Sequence, residues 1–185
     1  MAVTALDPGT ALIVIDLQKG IVRLAGIDAV RPAIHNSRLL ADGFRRRGLP
    51  VVLVNVAGGA PGRTEQQRPS QPIPEDWADL VPELGQEPSD IVVTKRTWGA
   101  FSSTDLEQQL KRLGVSQVVI AGVATSIGVE STARQAYEAG FNVTLAIDAM
   151  TDLRPEAHEA SIAYIFPRLG ETGTTQEIID LLEPK

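Results

Sequence analysis

The chain has 185 residues, of which 43% are hydrophobic and 22% charged, and its 17 basic and 23 acidic side chains give a formal net charge of −6. This length predicts a single domain, residues 1–185, with a substantial core, and the composition excludes a disordered or collagen-like chain. The acidic balance argues against nucleic acid as a partner, and zero cysteines exclude disulfides, thiolate metal sites and thiol catalysis.

The sequence carries no sign of a targeting or membrane segment. Its first residues, from Met1 to Thr4, contain neither a basic region nor a long apolar run. No apolar stretch approaches the roughly 20 residues that a membrane-spanning helix needs. We therefore expect a cytoplasmic protein without a membrane partner.

Short runs rich in β-branched residues predict five buried strands. Their hydrophobic residues are continuous rather than alternating, which is typical of parallel strands covered on both faces. In chain order, the predicted strands are residues 11–15, 51–56, 91–94, 117–121 and 143–147.

Amphipathic segments between these strands predict helices. Thr104 with Glu107 has the spacing of a capping box, and Pro155 is a residue that favours a helix start. In chain order, the predicted helices are residues 30–47, 104–113, 129–139, 155–169 and 175–182. Strands that alternate with helices predict an α/β protein with a parallel sheet and helices on both faces.

One segment interrupts this alternation. Residues 57–88 are rich in proline and glycine, and a loop of this length inside a compact domain is usually functional or mobile. Because it follows the second strand, it should lie over the carboxyl edge of the sheet, where open α/β proteins bind ligands.

Two charged residues and one turn are candidates for chemistry at this edge. Asp16 follows the first strand and Lys95 the third, so the lysine could pair with the carboxylate or bind an anionic substrate. The segment 121–129 is glycine-containing and leads from a strand into a helix, whose first N–H groups can bind an oxyanion. Taken singly, the three could equally be a capping aspartate, a solvated cation and an ordinary turn.

Together these residues resemble the isochorismatase-like hydrolase superfamily, which also contains nicotinamidases and other amide hydrolases. The resemblance runs from residue 11 to about residue 182. It is carried by Asp16-x-Gln18, by Lys95 with Ala100-Phe101, by the Gly-Val-x-Thr-x-x-x-x-x-x-Thr-Ala segment from Gly122 to Ala133, by Ala136 with Gly140, and by Asp148-Ala149.

The resemblance implies a three-layer α/β/α fold around a parallel six-stranded sheet in the order 3-2-1-4-5-6. This order brings Asp16 beside the turn that contains Gly128. It also implies a cis peptide bond between Val123 and Ala124, and a homodimer or a larger homo-oligomer.

The chain departs from most members of the superfamily at the nucleophile and the metal. Their triad is Asp, Lys and Cys, and Gly128 stands at the cysteine position. The nicotinamidases bind a metal through histidines after the second strand, whereas His35 and His158 fall on predicted helices elsewhere and suit surface or packing roles. We therefore expect no metal and no other cofactor.

Glycine at this position resembles the branch of true isochorismatases, which cleave a vinyl ether in secondary metabolism and need no enzyme nucleophile. The resemblance implies that Asp16 is the acid that protonates the enol carbon, that Lys95 orients Asp16 or holds a substrate carboxylate, and that Gly128 leaves room for the substrate. An acid with a raised pKa requires that burial of Asp16 outweighs the neighbouring Lys95 cation.

The implied substrate is a small anion, so further contacts are expected around these three residues. Arg63 and Arg23 are additional cations with solvated roles as the alternative, and the tryptophans could be packing residues instead. The predicted substrate-binding residues are Gln18, Arg68, Trp77, Trp98, Phe101, Ala124, Thr125, Ser126 and Ile127.

Two other functions remain open from the sequence. Ser126 or Thr125 could be the nucleophile of an amide hydrolase, although Ser126 lies two residues before the cysteine position and no histidine is placed to activate it. The chain could also be a non-catalytic protein that binds a small molecule.

Overall fold

A computed structural model describes residues 3–65 and 72–183 of the chain. Six parallel strands form one sheet in the order β3-β2-β1-β4-β5-β6, as the resemblance implied. The strands are β1 (Thr10–Ile15), β2 (Val51–Val56), β3 (Ile91–Lys95), β4 (Gln117–Val123), β5 (Asn142–Thr151) and β6 (Glu171–Gly173).

Helices cover both faces of the sheet. They are α1 (Lys19–Ala25), α2 (Ile27–Arg46), α3 (Leu106–Arg112), α4 (Glu130–Glu138), α5 (Pro155–Ala160) and α6 (Thr175–Leu182). Short 3₁₀ turns occupy Pro82–Leu84 and Phe166–Arg168, and π-helical turns occupy Thr125–Val129 and Ser161–Ile165. Within the described residues, no helix is long and apolar enough to cross a membrane.

The core consists of one apolar layer on each face of the sheet. Side chains alternate along β1, so that Ile13 and Ile15 join the layer of α3 and α4, while Leu12 and Val14 join the layer of α2 and α6. All four side chains are fully or almost fully buried. This confirms that the continuous apolar runs are strands covered on both faces.

Several predicted boundaries are wrong, each for a local reason. Helix α3 begins at Leu106, because Glu107 pairs with Lys111 on the helix surface instead of completing a capping box with Thr104. The predicted helix 155–169 is α5 followed by a π-helical and a 3₁₀ turn, and Pro167, which cannot donate a backbone hydrogen bond, lies in the last of these.

Other elements were missed because they are short or irregular. Helix α1 has seven residues and β6 has three, which is too few for a periodic pattern to be recognised. Strand β5 runs to Thr151, beyond the predicted end at residue 147, and its pairing with β4 shifts register between Ile120 and Gly122.

Candidate active site

Asp16 stands at the carboxyl end of the central strand. Its N–H donates to the Val54 carbonyl at 2.9 Å, and its φ of +52° lies in the left-handed region. That conformation is uncommon for residues other than glycine, although aspartate is among those that tolerate it. The turn after β1 therefore holds the Asp16 carboxyl at the edge of the sheet, in a side chain that is nearly buried.

Lys95 and Asp16 form a buried ion pair. The distance from Lys95 Nζ to Asp16 Oδ2 is 2.8 Å, and only 1% of Lys95 and 6% of Asp16 are exposed. Lys95 Nζ also donates to the Thr97 carbonyl at 3.2 Å. The other carboxyl oxygen, Asp16 Oδ1, is buried and has no hydrogen-bond partner among the described residues. Lys95 thus bonds one oxygen of the carboxyl, and the second has no partner among the residues that the structure describes.

Burial outweighs the lysine in setting the protonation of this pair. Removal of the carboxylate from water raises the pKa of Asp16 from 3.8 to about 6, although the charge and the hydrogen bond of Lys95 act in the opposite direction. The carboxyl group can therefore hold a proton close to neutral pH, as an acid catalyst must.

Gly128 faces this carboxyl from the turn after β4. A Cβ atom at Gly128 would lie 3.1 Å from Asp16 Oδ2 and 3.0 Å from Ile15 Cγ2, both closer than ordinary van der Waals contact. Glycine is thus the residue that allows this turn to pack closely against Asp16 without a side chain that would crowd the carboxyl. The structure brings Asp16, Lys95 and Gly128 together at one point.

The segment that leads to Gly128 has the implied cis peptide bond, between Val123 and Ala124. Ala124 is half-buried, and the next residues form the π-helical turn Thr125–Val129. Both the N–H and the hydroxyl of Ser126 donate to Asp152 Oδ2 at 2.7 Å. The Ser126 hydroxyl therefore holds the connection after β5 against this turn.

His158 lies closer to this turn than the sequence suggested. Its Nδ1 atom is 2.8 Å from Thr125 Oγ1, and the two groups share a hydrogen bond. A surface or packing role was expected for His158, and its contact with Thr125 was not predicted. The contact arises because α5 packs on the π-helical turn, a tertiary contact with no local sequence signal.

Gln18 and Trp77 anchor backbone instead of facing open space. The Gln18 amide donates to the carbonyls of Val56 and Trp77 and accepts the N–H of Val56, and Gln18 is fully buried. The Trp77 ring lies against Gly20, and its Nε1 donates to the Val56 carbonyl at 3.2 Å. Gln18 therefore anchors the backbone around Val56 and Trp77, and its contact with substrate stays a prediction.

The other residues predicted to contact substrate differ in their exposure: Trp98 and Ile127 are exposed near the site, whereas Phe101 packs against another aromatic ring. Trp98 is 66% exposed with its carbonyl near the Gly128 position, and Ile127 is 37% exposed on the turn, so both remain candidates for the mouth of the site. Phe101 is half-buried and its ring packs against Phe141 with centroids 5.9 Å apart, which indicates a packing role.

The predicted cations contribute little to the described site. Arg68 lies outside the described residues. Arg23 forms a bidentate ion pair with Asp76, and Arg63 is exposed. Among the residues that the structure describes, no group of three or more His, Asp or Glu side chains could hold a metal ion.

The fold and this site define a three-layer α/β protein with an aspartate–lysine pair at the switch point of a parallel sheet. Residues 10–177 match the Isochorismatase domain, and the chain belongs to the isochorismatase family. It is a hydrolase of that family.

Three comparisons illustrate the relationship. The chain is 44% identical to the isochorismatase family protein YwoC of Bacillus subtilis, over 92% of this chain and 93% of that one; YwoC is itself uncharacterized. It is 31% identical to Nicotinamidase 3 of Arabidopsis thaliana, over 84% and 81% of the two chains. The solved structure of an isochorismatase family protein from Burkholderia thailandensis superposes with a TM-score of 0.88 at 36% identity, over 97% and 98%.

Proposed function

We propose that this protein hydrolyses an enolpyruvyl (vinyl) ether of a small anionic molecule, such as isochorismate, with Asp16 as the general acid. The observation that carries the proposal is the Asp16 carboxyl itself: Oδ2 is held by Lys95, Oδ1 is unpartnered, and burial raises the pKa of the group to about 6. The zero cysteine count leaves the chain without the thiol that amide hydrolysis in this superfamily uses.

The reaction needs one proton donor and one water. A proton on Asp16 Oδ1 passes to the terminal CH₂ carbon of the enol ether, which becomes a methyl group and leaves an oxocarbenium ion. Water adds to the cationic carbon and returns a proton to Asp16. The resulting hemiketal then collapses to pyruvate and the alcohol, so that no covalent enzyme intermediate is formed.

Lys95 and Gly128 support the same step. As Asp16 loses its proton, the carboxylate that forms is stabilised by the charge-assisted hydrogen bond from Lys95. Glycine at position 128 keeps a side chain from crowding the carboxyl, to which a substrate carbon must come within about 3 Å for proton transfer.

Amide hydrolysis through a hydroxyl is the second candidate, and the contact between Thr125 and His158 is the observation that favours it. Thr125 is fully buried, however, and its hydroxyl is bonded to His158 within the packed turn. The Ser126 hydroxyl donates to Asp152, whose carboxylate is also occupied by the Ser126 N–H. We therefore favour acid catalysis by Asp16.

The test is incubation of the protein with isochorismate and with a panel of amides that includes nicotinamide. We expect the wild type to release pyruvate, and Asp16→Asn to lose this activity by at least about a hundredfold, because an amide cannot donate the required proton. Asp7→Asn is the matched control, since Asp7 accepts hydrogen bonds from Ser116 and Asn142 on other parts of the fold and should retain activity.

Each other result contradicts the proposal in its own way. Amide turnover that is lost in Ser126→Ala or Thr125→Val would assign the site to hydroxyl nucleophiles. Binding of isochorismate without turnover of any compound would make the chain a non-catalytic binding protein.

A further inference from the structure

We propose that Thr132 is a positioning residue, which ties the turn containing Gly128 to the loop after Lys95 and so sets the geometry of the aspartate–lysine pair. We call residues 96–105, between β3 and α3, the Lys95 loop. The inference rests on the proposed function of Asp16, and it concerns a residue that takes no part in the chemistry described above.

The Thr132 hydroxyl is bonded on both sides. It accepts the N–H of Ala100 at 3.1 Å and donates to the carbonyl of Gly128 at 2.7 Å. A threonine hydroxyl in a helix commonly donates a hydrogen bond to the carbonyl four residues earlier. The bond that the Thr132 hydroxyl accepts from the N–H of a separate loop is not explained by this local preference. Thr132 and Ala100 are both fully buried, so neither group has water as a substitute partner.

These hydrogen bonds, together with the close approach of Gly128 to Asp16, link the residues around the ion pair into one continuous set of contacts. Lys95 bonds to Asp16 and to the Thr97 carbonyl in the Lys95 loop. The same loop reaches Thr132 through Ala100, and Thr132 reaches Gly128. Gly128 then faces the Asp16 carboxyl again, because a Cβ there would be 3.1 Å from Oδ2. The Thr132 hydroxyl is the point at which the two halves of this set of contacts are joined.

A second side chain of α4 supports the same contact. Gln135 accepts the N–H of Phe101 at 3.0 Å and donates to the Ser102 hydroxyl at 2.7 Å. The backbone of Gly99 lies so close to the Gln135 amide that a Cβ at Gly99 would overlap it. Helix α4 therefore holds the Lys95 loop by several bonds, and Thr132 is the one that also reaches Gly128.

The consequence of losing the hydroxyl follows from this arrangement. The N–H of Ala100 would be left buried without a partner, so the loop would move until water reached that N–H. A displaced loop also shifts the groups that pack around Asp16, because it carries the Thr97 carbonyl that holds Lys95 and is tied to the turn at Gly128, so the burial that raises the pKa of Asp16 is relieved.

The experiment compares Thr132→Val, which keeps the shape and removes the hydroxyl, with Thr132→Ser, which keeps the hydroxyl. Thr104→Val is the matched control, because the Thr104 hydroxyl also bonds Ala100, at its carbonyl, but has no contact with Gly128. Two quantities are measured: kcat and KM for pyruvate release from isochorismate, and the titration midpoint of the Asp16 carboxyl by NMR of its carboxyl carbon.

For Thr132→Val we expect kcat to fall by about 10- to 100-fold with KM changed by less than about threefold, because misplacement of reacting groups acts mainly on the chemical step. The Asp16 midpoint should fall by at least about half a pH unit, toward the value of an exposed carboxyl. Thr132→Ser should retain both wild-type quantities, and so should Thr104→Val. If Thr132→Val fails to fold, Thr132→Ala takes its place.

The inference is overturned if the Asp16 midpoint in the variant without the hydroxyl is unchanged or higher, or if Thr104→Val has the same effect as Thr132→Val. A wild-type protein that releases no pyruvate contradicts the proposed function alone, since the titration of Asp16 still decides whether Thr132 positions this carboxyl.

Discussion

The raised pKa of Asp16 predicts how the free energy of unfolding depends on pH, and this prediction can be tested without a substrate. Asp16→Asn replaces the carboxyl with a neutral group of nearly the same shape, which mimics the protonated form in both the folded and the unfolded chain. Because the other titrating groups are present in both proteins, the pH dependence of the difference in the free energy of unfolding reports the ionisation of Asp16 within its pair with Lys95.

The magnitude follows from the two pKa values. Burial raises the pKa of Asp16 from 3.8 to about 6 in the folded protein, so the folded state holds this proton more tightly than the unfolded chain. At about 1.36 kcal/mol per pKa unit, wild type should lose about 3 kcal/mol of stability relative to Asp16→Asn as the pH rises from below 4 to above 6. The stability of the wild type relative to Asp16→Asn is fully present below pH 4, where Asp16 is protonated in both the folded and the unfolded chain. Above pH 7 we expect little further change in this difference.

Urea unfolding followed by circular dichroism, at pH values between 4 and 8, measures this difference. The result that refutes the reasoning is a wild-type protein that gains stability relative to Asp16→Asn across this range. In that case Lys95 would outweigh burial, the pKa of Asp16 would lie below its ordinary value, and Asp16 would be too weakly protonated at neutral pH to act as the proton donor.

Three further substitutions test the surroundings of this carboxyl. Gly128→Ala places a methyl group against Asp16 Oδ2, and we expect kcat/KM to fall by about tenfold or more while the free energy of unfolding changes by no more than about 1–3 kcal/mol. Lys95→Met removes the cation that lowers the pKa of Asp16, so the NMR titration midpoint of that carboxyl should rise above 6. Gly20→Ala drives a methyl group into the Trp77 ring and should destabilise the protein by about 1–3 kcal/mol in urea unfolding.

The two glycine substitutions share a matched comparison. Gly59→Ala introduces a methyl group where no atom of residues 3–65 and 72–183 lies within 4 Å, and it should behave as wild type in both the unfolding and the activity measurements. Full activity in Gly128→Ala would show that the space beside Asp16 is not used. An Asp16 titration midpoint that falls in Lys95→Met would contradict the effect of the Lys95 cation on this carboxyl. Wild-type stability in Gly20→Ala would contradict the close contact between Gly20 and the Trp77 ring.

Local pattern was sufficient to predict most of the sheet. Residues 51–56 were predicted as a strand with the bounds that the structure shows, because a run of buried β-branched residues is unambiguous when turn residues flank it. The order of the strands came from the family resemblance, since no periodicity states which strand is the neighbour of which. The three-residue β6 and the interruption of the helix after residue 160 depend on packing and could not be predicted.

The centre of the site could be predicted because parallel topology collects strand ends. Asp16 and Lys95 each follow a strand, and the β1-β2-β3 order brings those ends to one edge of the sheet. The bonds of Gln18, His158 and Thr132 could not be predicted, because each joins segments that are distant in sequence and the choice among several polar partners is made by the packed structure.

Under the proposed function, glycine at position 128 does more than remove the cysteine that the family resemblance implies there. Any side chain at this position would begin 3.1 Å from Asp16 Oδ2, so a thiol would compete for the carboxyl with whatever else approached it. With glycine, Lys95 bonds one oxygen of the carboxyl, and the other oxygen has no partner among residues 3–65 and 72–183. An acid catalyst needs both the burial that raises its pKa and an oxygen that can carry the proton, and the proposed role of Asp16 rests on this combination.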